Sequence, residues 1–259
     1  MTIIDPDTIL ANANVSTIEH HEVLDSTNRR AMVLLGEDVE LPLLVIADEQ
    51  TAGRGRGSNE WWSPRGCLMF SLAIQRTEDL SELPPYSLAV GLGVRSAIAS
   101  ELPGHGVKVK WPNDVYVGDR KISGILIEVP PGDPGKLVIG IGANVNNSTR
   151  DAPDSIRSTV ATITDLTSQP VDMNGVLTSI LNNISTQIAA MDSDLPTRWM
   201  DHCYLMGKTI TLARGNRSDT GMCRGIDETG ALLLRTETEI VRASSGVIES
   251  THGTHQTGG

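Results

Sequence analysis

Residues 110–128, with the sequence KWPNDVYVGDRKISGILIE, decide the fold because they combine a hairpin pattern with an unusual arrangement of charges. The apolar and β-branched residues on both sides of Gly118 and Asp119 predict two antiparallel strands joined by a tight turn. Pro112 has no amide hydrogen to donate, so the chain leaves the sheet before the first strand. Leaving the sheet lets Asn113 and Asp114 point into a cleft, where Asp114 can hold a metal ion or orient a lysine. An Asx turn that closes the hairpin is an equally simple interpretation.

Two of the five lysines in the chain, Lys110 and Lys121, lie within this short stretch. Lys121 begins an otherwise apolar strand, where a buried ammonium group requires an anionic partner. Gly124 removes a side chain at a point where another group can approach the backbone. We therefore predict an anion site here, although a lysine that extends to solvent from the strand end remains an alternative.

Residues 53–57, with the sequence GRGRG, form a second feature with chemical meaning. Glycine allows the backbone to approach a ligand, and arginine presents a charged fork that suits phosphate and carboxylate. Trp61 and Trp62 follow closely and are suited to covering a flat heterocycle. Asn144 and Asn146 face the same way at a strand end and are candidates for binding a base or ribose. A solvated surface turn and an RNA-binding tract are the alternatives for the loop.

The rest of the chain predicts a mixed α+β body followed by a β-rich appendage. Residues 1–20 are predicted to be irregular. Apolar and capped segments predict strands at 43–47, 67–74 and 137–145, and helices at 29–35, from Pro84 onward and between 158 and 202. We therefore predict a main domain over residues 1–205.

Residues 207–250 break into short β-rich runs separated by Gly and Asp turns, which predicts a small antiparallel barrel. The tail at 251–259 is poor in apolar residues and is predicted to be disordered. The second domain is accordingly predicted over residues 206–250, and the tail follows it.

Composition excludes several classes of function. The net charge of −11 repels nucleic-acid phosphates and argues against a general DNA- or RNA-binding protein. No apolar run is long enough for a membrane span and no signal peptide is visible. The three cysteines have no metal-binding spacing, so we expect buried, reduced thiols in a cytoplasmic protein. The acidic, lysine-poor composition also fits a salt-adapted host, which activity at low and high potassium chloride would test.

As a set, the motifs resemble those of biotin protein ligases. They occur in the order of that family from about residue 20 to residue 250, and they are STN at 26–28, QTAGRGR at 50–56, KWPND at 110–114, KISGILIE at 121–128 and GANVN at 142–146. The resemblance implies a catalytic domain related to class II aminoacyl-tRNA synthetases, with a mixed sheet, flanking helices and a small SH3-like C-terminal barrel. It also implies two half-reactions. Biotin and ATP form biotinyl-5′-adenylate and pyrophosphate, and a lysine of a biotin carboxyl carrier domain then attacks the adenylate, with magnesium as the expected metal.

The resemblance further implies roles for individual residues. Biotin binding is implied for Ser26, Thr27, Asn28, Gln50, Gly53, Arg54, Gly55, Arg56, Lys121 and Gly124, with Ser26, Thr27 and Gln50 on the ureido ring. Nucleotide binding is implied for Arg56, Trp61, Lys110, Asn113 and Asn144, and metal binding for Asp114. Lys121, Arg54 and Arg56 are the implied catalytic residues, with Lys121 between the carboxylate and the α-phosphate, where it neutralises charge.

Two departures from the family pattern affect the expected function. Residues 57–60, GSNE, stand where the family commonly has a further arginine, so the loop carries less positive charge. Residues 1–20 are too short for a helix-turn-helix module, and a monofunctional ligase without DNA binding is therefore expected. Lipoate ligation, a biotinyl-adenylate-binding regulator and a general ATP-binding module are the alternatives. A homodimer formed by pairing of sheets is also expected.

Overall fold

A mixed sheet of seven strands forms the first part of the molecule. The structure, a computed structural model, describes residues 4–76, 83–191 and 194–252. The strands of this sheet are β1 (Thr17–Leu24), β2 (Leu43–Gln50), β3 (Cys67–Gln75), β4 (Val107–Lys110), β5 (Asp114–Val117), β6 (Arg120–Glu128) and β7 (Lys136–Asn144). Their order is β1-β2-β3-β7-β6-β5-β4. β1 and β2 run parallel and the other neighbours run antiparallel, which confirms the predicted mixed sheet and its β5–β6 hairpin.

Helices flank this sheet as the α+β prediction requires. They are α1 (Pro6–Asn12), α2 (Thr27–Leu34), α3 (Pro84–Glu101), α4 (Asp154–Arg157), α5 (Ile163–Thr167), α6 (Met173–Ala189) and α7 (Leu195–Met200). The proline pair at 84–85 opens α3, where a missing amide hydrogen costs nothing. Asp172 caps α6 by accepting from the backbone N–H groups of Asn174 and Gly175. None of the helices in the described ranges is long and apolar enough to cross a membrane.

The helices cover the two faces of the sheet unequally, and this leaves room for a site. Alternate residues of β2 point to opposite faces. Leu44 and Ile46 join the core with α3 and α6, whereas Leu43 and Val45 pack with α2. α2 contacts β2, β3 and β7. On the face of the sheet that α2 covers, the area over β6 and β5 is therefore left open, and a cavity can form there.

The prediction that residues 1–20 are irregular is wrong. They contain α1 and the start of β1, which pairs with β2. Asp5 caps α1 by accepting from the backbone N–H of Asp7 at 3.2 Å, and Ile9 is fully buried. A helix of only two turns carries too short an apolar period to be recognised in the sequence, and its burial depends on α6, which is distant in the chain.

A second, five-stranded antiparallel sheet forms the C-terminal part, as predicted. Its strands are β8 (Thr209–Arg214), β9 (Arg217–Ile226), β10 (Leu232–Arg235), β11 (Ile240–Ala243) and β12 (Val247–His252), in the order β11-β10-β9-β8-β12. The predicted disordered tail is wrong at its first two positions, because Thr251 and His252 pair with Ile210 and Thr209. Residues 253–259 lie outside the described residues, and the boundary at 205/206 stays a prediction.

Trp111 joins the two sheets. It is 1% exposed and belongs to a buried cluster that also contains Leu88 of α3 and Leu232 of β10. Its indole Nε1 donates to the carbonyl oxygen of Gly230 at 3.1 Å. Gly230 has a φ of +79°, and a Cβ atom there would lie 2.9 Å from Leu88 Cδ1, so glycine is needed for this close contact. A residue of the KWPND motif therefore holds the C-terminal sheet against the part of the molecule that contains the seven-stranded sheet.

The three cysteines, Cys67, Cys203 and Cys223, are free and buried, which confirms the prediction of buried thiols.

Candidate active site

A cavity of about 780 Å³ lies over the open face of the seven-stranded sheet. The predicted site residues that line it are Ser26, Thr27, Asn28, Gln50, Arg54, Gly55, Arg56, Trp61, Lys110, Asn113, Asp114, Lys121, Gly124 and Asn144. Gly53 is the predicted residue that does not line it. Residues far apart in the chain thus meet in one place, because the helix start at Thr27, the 53–57 loop and six strand positions converge on one face.

Gly53 lies behind the cavity wall, at the base of the loop. Its carbonyl oxygen accepts from the backbone N–H of Trp61 at 3.0 Å. A Cβ atom at this position would lie 2.3 Å from Ser63 Oγ and 2.6 Å from the carbonyl oxygen of Trp61. Glycine therefore allows the two ends of the loop to close on each other, and the predicted ligand contact of Gly53 stays a prediction.

Two facing glycines form the floor of the cavity. Gly124 on β6 and Gly142 on β7 are direct cross-strand partners. The ring of Trp61 lies over them, so closely that a Cβ atom at Gly142 would be 2.3 Å from Trp61 Cε2. The Trp61 Nε1 atom is buried and has no hydrogen-bond partner in the described parts of the chain. The close approach predicted at Gly124 is thus made by the protein itself, through Trp61 and Lys121.

The charged ammonium group of Lys121 lies over this glycine floor. Its Nζ atom lies 2.7 Å from Asp114 Oδ1, and 5.4 Å from the centroid of the Trp61 ring. The side chains of Lys121 and Asp114 are only 29% and 19% exposed. A Cβ atom at Gly124 would lie 3.1 Å from Lys121 Nζ, so the glycine leaves room for the ammonium group. Asp114 orients the lysine, which is one of the two roles expected for it.

The two loop arginines have different environments. Arg54 Nη1 and Nη2 donate to Glu128 Oε2 and Oε1 at 3.1 and 2.8 Å. Two of the five guanidinium N–H donors of Arg54 are thus used by a carboxylate of the protein that also compensates its charge, and its predicted contact with an anionic ligand stays a prediction. The Arg56 side chain has neither an ion pair nor a hydrogen bond with any residue that the structure describes. Arg56 is therefore the arginine that remains available to an anion.

Lys110 lies at the far side of the cavity, beside the C-terminal sheet. Its Nζ atom donates to the hydroxyl oxygen of Tyr116 at 3.1 Å and lies 4.6 Å from the ring centroid. Burial lowers the pKa of Lys110, and the nearby Asp114 carboxylate partly opposes this effect. Burial also raises the pKa of Tyr116 to about 12, so its hydroxyl stays neutral near pH 7. An anion such as phosphate would relieve the cost of burying this ammonium group.

The opposite end of the cavity contains neutral hydrogen-bonding groups. The backbone N–H of Thr27 donates to Gln50 Oε1 at 2.8 Å. The Ser71 hydroxyl donates to Asn28 Oδ1 at 2.6 Å and also lies 2.8 Å from Thr27 Oγ1. Ser71 was missed in the sequence, although a single serine inside the apolar run of β3 is a buried hydroxyl that requires a partner. This end can recognise a neutral polar ring.

Asn113 and Asn144 line the cavity with their side chains partly engaged. Asn113 Nδ2 donates to the carbonyl oxygen of Ile125 at 2.6 Å and fixes the start of β5 against β6. Asn144 Oδ1 accepts from Cys67 Sγ at 3.3 Å and from Asn147 Nδ2 at 3.2 Å. These contacts orient both amides, and their predicted nucleotide contacts stay predictions.

The predicted metal role of Asp114 has little support in the arrangement of donors. Its carboxylate is paired with Lys121. Across the described ranges, no group of three or more His, Cys, Asp or Glu side chains is placed to hold a metal ion. Mg²⁺ takes octahedral oxygen ligands and is commonly held by substrate phosphates together with one or two carboxylates. The described side chains thus form no metal site without substrate phosphates, and the metal role of Asp114 stays a prediction.

Comparison with known proteins decides the family. Residues 21–146 match the model of the biotin/lipoate A/B protein ligase family, and residues 205–249 match that of the biotin protein ligase C-terminal domain. The bifunctional ligase/repressor BirA of Bacillus subtilis is 30% identical over 237 residues, which cover 89% of this chain and 73% of that protein. The chain belongs to the biotin protein ligase family. Its enzyme class is accordingly that of a biotin protein ligase.

Other biotin protein ligases have the same fold over nearly their whole length. The structure of the Aquifex aeolicus enzyme in complex with biotin and ATP has a TM-score of 0.79 and 31% identity, and covers 92% of this chain and 99% of that one. The biotin–[acetyl-CoA-carboxylase] ligase of Paracoccus denitrificans is 28% identical over 226 residues, which cover 82% of this chain and 91% of that protein. Both parts of the ligase fold are therefore represented in this chain.

We expect Gly142→Ala to weaken substrate binding in this ligase. The added methyl group would overlap the Trp61 ring, which must shift away from the glycine floor. Overpacking costs about 1–3 kcal/mol, and about 1.4 kcal/mol corresponds to a tenfold change. The KM for biotin or ATP should therefore rise by about tenfold in a pyrophosphate-release assay. Gly91→Ala is the matched control, because its Cβ atom would meet neighbouring side chains at an ordinary distance of 3.7 Å. Equal KM values for the two variants would contradict the role of Gly142 in making room for the Trp61 ring.

Proposed function

We propose that this chain joins biotin to ATP as biotinyl-5′-adenylate and then transfers biotin to a lysine of a biotin carboxyl carrier domain. One observation supports this proposal, and it is the order of the strands. Lys121 lies on β6, in the middle of the cavity. The neutral polar end lies to one side, beside β2 and β3, and Lys110 lies to the other side, at the end of β4. The cavity can thus accept a neutral ring at one end, a carboxylate near Lys121, and phosphates near Lys110 and Arg56.

The first half-reaction brings two anions together. A carboxylate oxygen of biotin attacks the α-phosphorus of ATP, and the bond to pyrophosphate breaks. Two unit charges about 4 Å apart repel by about 4 kcal/mol at an effective dielectric constant near 20. The Lys121 ammonium group offsets this repulsion as the charges approach, and Arg56 adds a second positive charge. Asp114 keeps Lys121 in place until the substrates arrive.

The second half-reaction forms an amide bond. The neutral amine of a carrier lysine attacks the carboxyl carbon of the adenylate, AMP leaves, and the amine loses a proton to solvent. Lys121 beside the phosphate stabilises the leaving AMP. We expect the carrier to belong to a biotin-dependent carboxylase, as the name of the Paracoccus relative indicates for that enzyme.

Several properties belong to the same proposal. We expect Mg²⁺ to accompany ATP through its phosphates, the protein to act in the cytoplasm, and DNA not to bind. The chain carries a net charge of −11, which opposes contact with nucleic-acid phosphates. A homodimer is also expected, and light scattering with and without biotin and ATP tests it directly.

Release of pyrophosphate from ATP in the presence of biotin tests the adenylation step. The wild-type chain should release pyrophosphate with biotin, and release with lipoate should be much slower. The neutral polar end at Thr27, Asn28 and Gln50 suits a ureido ring, and an acid that lacks such a ring offers these groups no hydrogen-bonding partner. Faster release with lipoate would assign the chain to lipoate ligation, and no release with either acid would reject both activities.

A further inference from the structure

The Glu128 carboxylate, at the end of β6, connects two parts of the site. Besides its bidentate pair with Arg54, it accepts from Asn28 Nδ2 at 2.8 Å. Both ends of the Asn28 amide are therefore used, because its Oδ1 accepts from the Ser71 hydroxyl. Bidentate arginine–carboxylate pairs fix geometry as well as charge. Glu128 thus holds the loop arginine and a residue of the first turn of α2 in one arrangement.

The same chain of hydrogen bonds continues to the other end of the loop. Ser71 contacts Thr27, whose backbone N–H donates to Gln50. Gln50 Nε2 donates to Ser63 Oγ at 3.4 Å, and the Ser63 hydroxyl donates to the carbonyl oxygen of Trp61 at 2.9 Å. The polar network therefore runs from Arg54 to Trp61 through the neutral end of the cavity. Its members are Arg54, Glu128, Asn28, Ser71, Thr27, Gln50 and Ser63.

The backbone is shaped to admit this network. A Cβ atom at Gly140 would lie 2.0 Å from Asn28 Oδ1, so glycine is required beneath the amide. Asn28 is 4% exposed and Ser71 is fully buried, so water has little access to the hydrogen bond between them. Loss of one of these contacts leaves the neighbouring buried group with few alternative partners.

We propose that Glu128 is a positioning residue that couples binding of biotin at Thr27, Asn28 and Gln50 to closure of the loop over residues 54–61. The inference rests on the proposed function, because it takes biotin as the ligand of the neutral end. Glu128 itself does not contact the reacting atoms. It keeps Arg54 and Asn28 together, so that ordering of the neutral end by biotin also orders the loop that carries Arg56 and Trp61.

Glu128→Gln tests the coupling, because the amide replaces one of the two carboxylate oxygens by a donor that faces the donors of Arg54 and Asn28. Loss of a charged hydrogen bond should raise the KM for biotin by about tenfold, while kcat for pyrophosphate release changes by less than about threefold. Amides 54–61 should also exchange hydrogen rapidly in this variant even at saturating biotin, whereas biotin should slow them in the wild type. Glu49→Gln is the matched control, since Glu49 forms a comparable pair with Arg65 outside the network.

Each outcome has a separate meaning. The coupling would be overturned if biotin slowed hydrogen exchange of amides 54–61 in Glu128→Gln as much as in the wild type. It would also be overturned if the KM for biotin were the same in Glu128→Gln and Glu49→Gln. A large loss of kcat would overturn it as well, because it would indicate a direct catalytic role. If Glu128→Gln does not fold, Arg54→Gln removes the same pair from the exposed loop side, with the same expected KM and exchange. A wild-type chain without biotin-dependent pyrophosphate release would instead reject the proposed function.

Discussion

Replacing Lys121 with alanine is expected to slow biotin-dependent pyrophosphate release by about 10²–10³-fold, the usual cost of removing a group that stabilises transition-state charge. The ammonium group lies on the glycine floor, 2.7 Å from Asp114. Without it, the biotin carboxylate and the α-phosphate must approach each other beside the uncompensated carboxylate of Asp114. The fall should therefore appear in kcat at saturating biotin and ATP, as measured by single-turnover formation of the adenylate.

The control for this variant is Lys136→Ala. Lys136 forms a 3.0 Å pair with Asp133 and its side chain is 26% exposed, close to the exposure of Lys121. It lies outside the cavity, so its replacement should leave adenylation unchanged within about twofold, since a surface pair contributes about 0–1 kcal/mol. Thermal unfolding should show that both variants are folded. A folded Lys121→Ala variant with a rate within threefold of the wild type would remove Lys121 from the mechanism.

Trp111→Ala is expected to lower the free energy of unfolding by about 3–5 kcal/mol, the range for removal of a large buried aromatic side chain. The indole is 1% exposed between α3 and β10, and its hydrogen bond to Gly230 holds the turn before β10. The variant would lose this contact together with the packing between the two sheets. Urea unfolding followed by circular dichroism would measure the change.

Two further variants locate the cause of this loss. Trp111→Phe retains much of the packing but leaves the Gly230 carbonyl without its donor, so it should cost less than Trp111→Ala. Ile240→Ala is the surface control, because Ile240 is 62% exposed on β11 and should change stability by less than about 0.5 kcal/mol. A Trp111→Ala variant as stable as Ile240→Ala would show that this tryptophan does not connect the sheets.

The sequence predicted those features whose causes are local. The β5–β6 hairpin follows from alternating apolar residues around a Gly-Asp turn, and α3 begins at its proline pair. The proximity of Lys121 to Asp114 could also be predicted, because only seven positions separate these residues in one hairpin. Most predicted site residues also meet in one cavity, but the grouping of these distant segments came from the family resemblance and not from local patterns.

Contacts between distant segments could not be predicted from local patterns. Glu128 is 74 residues from Arg54 and 100 residues from Asn28, so neither partner is visible in the strand that ends at Glu128. The pairing of Arg54 with Glu128 was therefore not predicted. The packing of Gly53 against Ser63, on the closing side of the loop, was not predicted either. The last two residues of β12 were predicted to be disordered because their order depends on pairing with β8.

The most direct test of the central proposal is the mass of a biotin carboxyl carrier domain after incubation with this chain, biotin, ATP and Mg²⁺. The wild-type chain should add the mass of one biotinyl group to a single lysine of the carrier, and omission of ATP or replacement of Lys121 with alanine should largely abolish the addition. The proposal would be contradicted if the folded wild-type chain left the carrier domain unmodified while a known biotin protein ligase modified the same carrier domain.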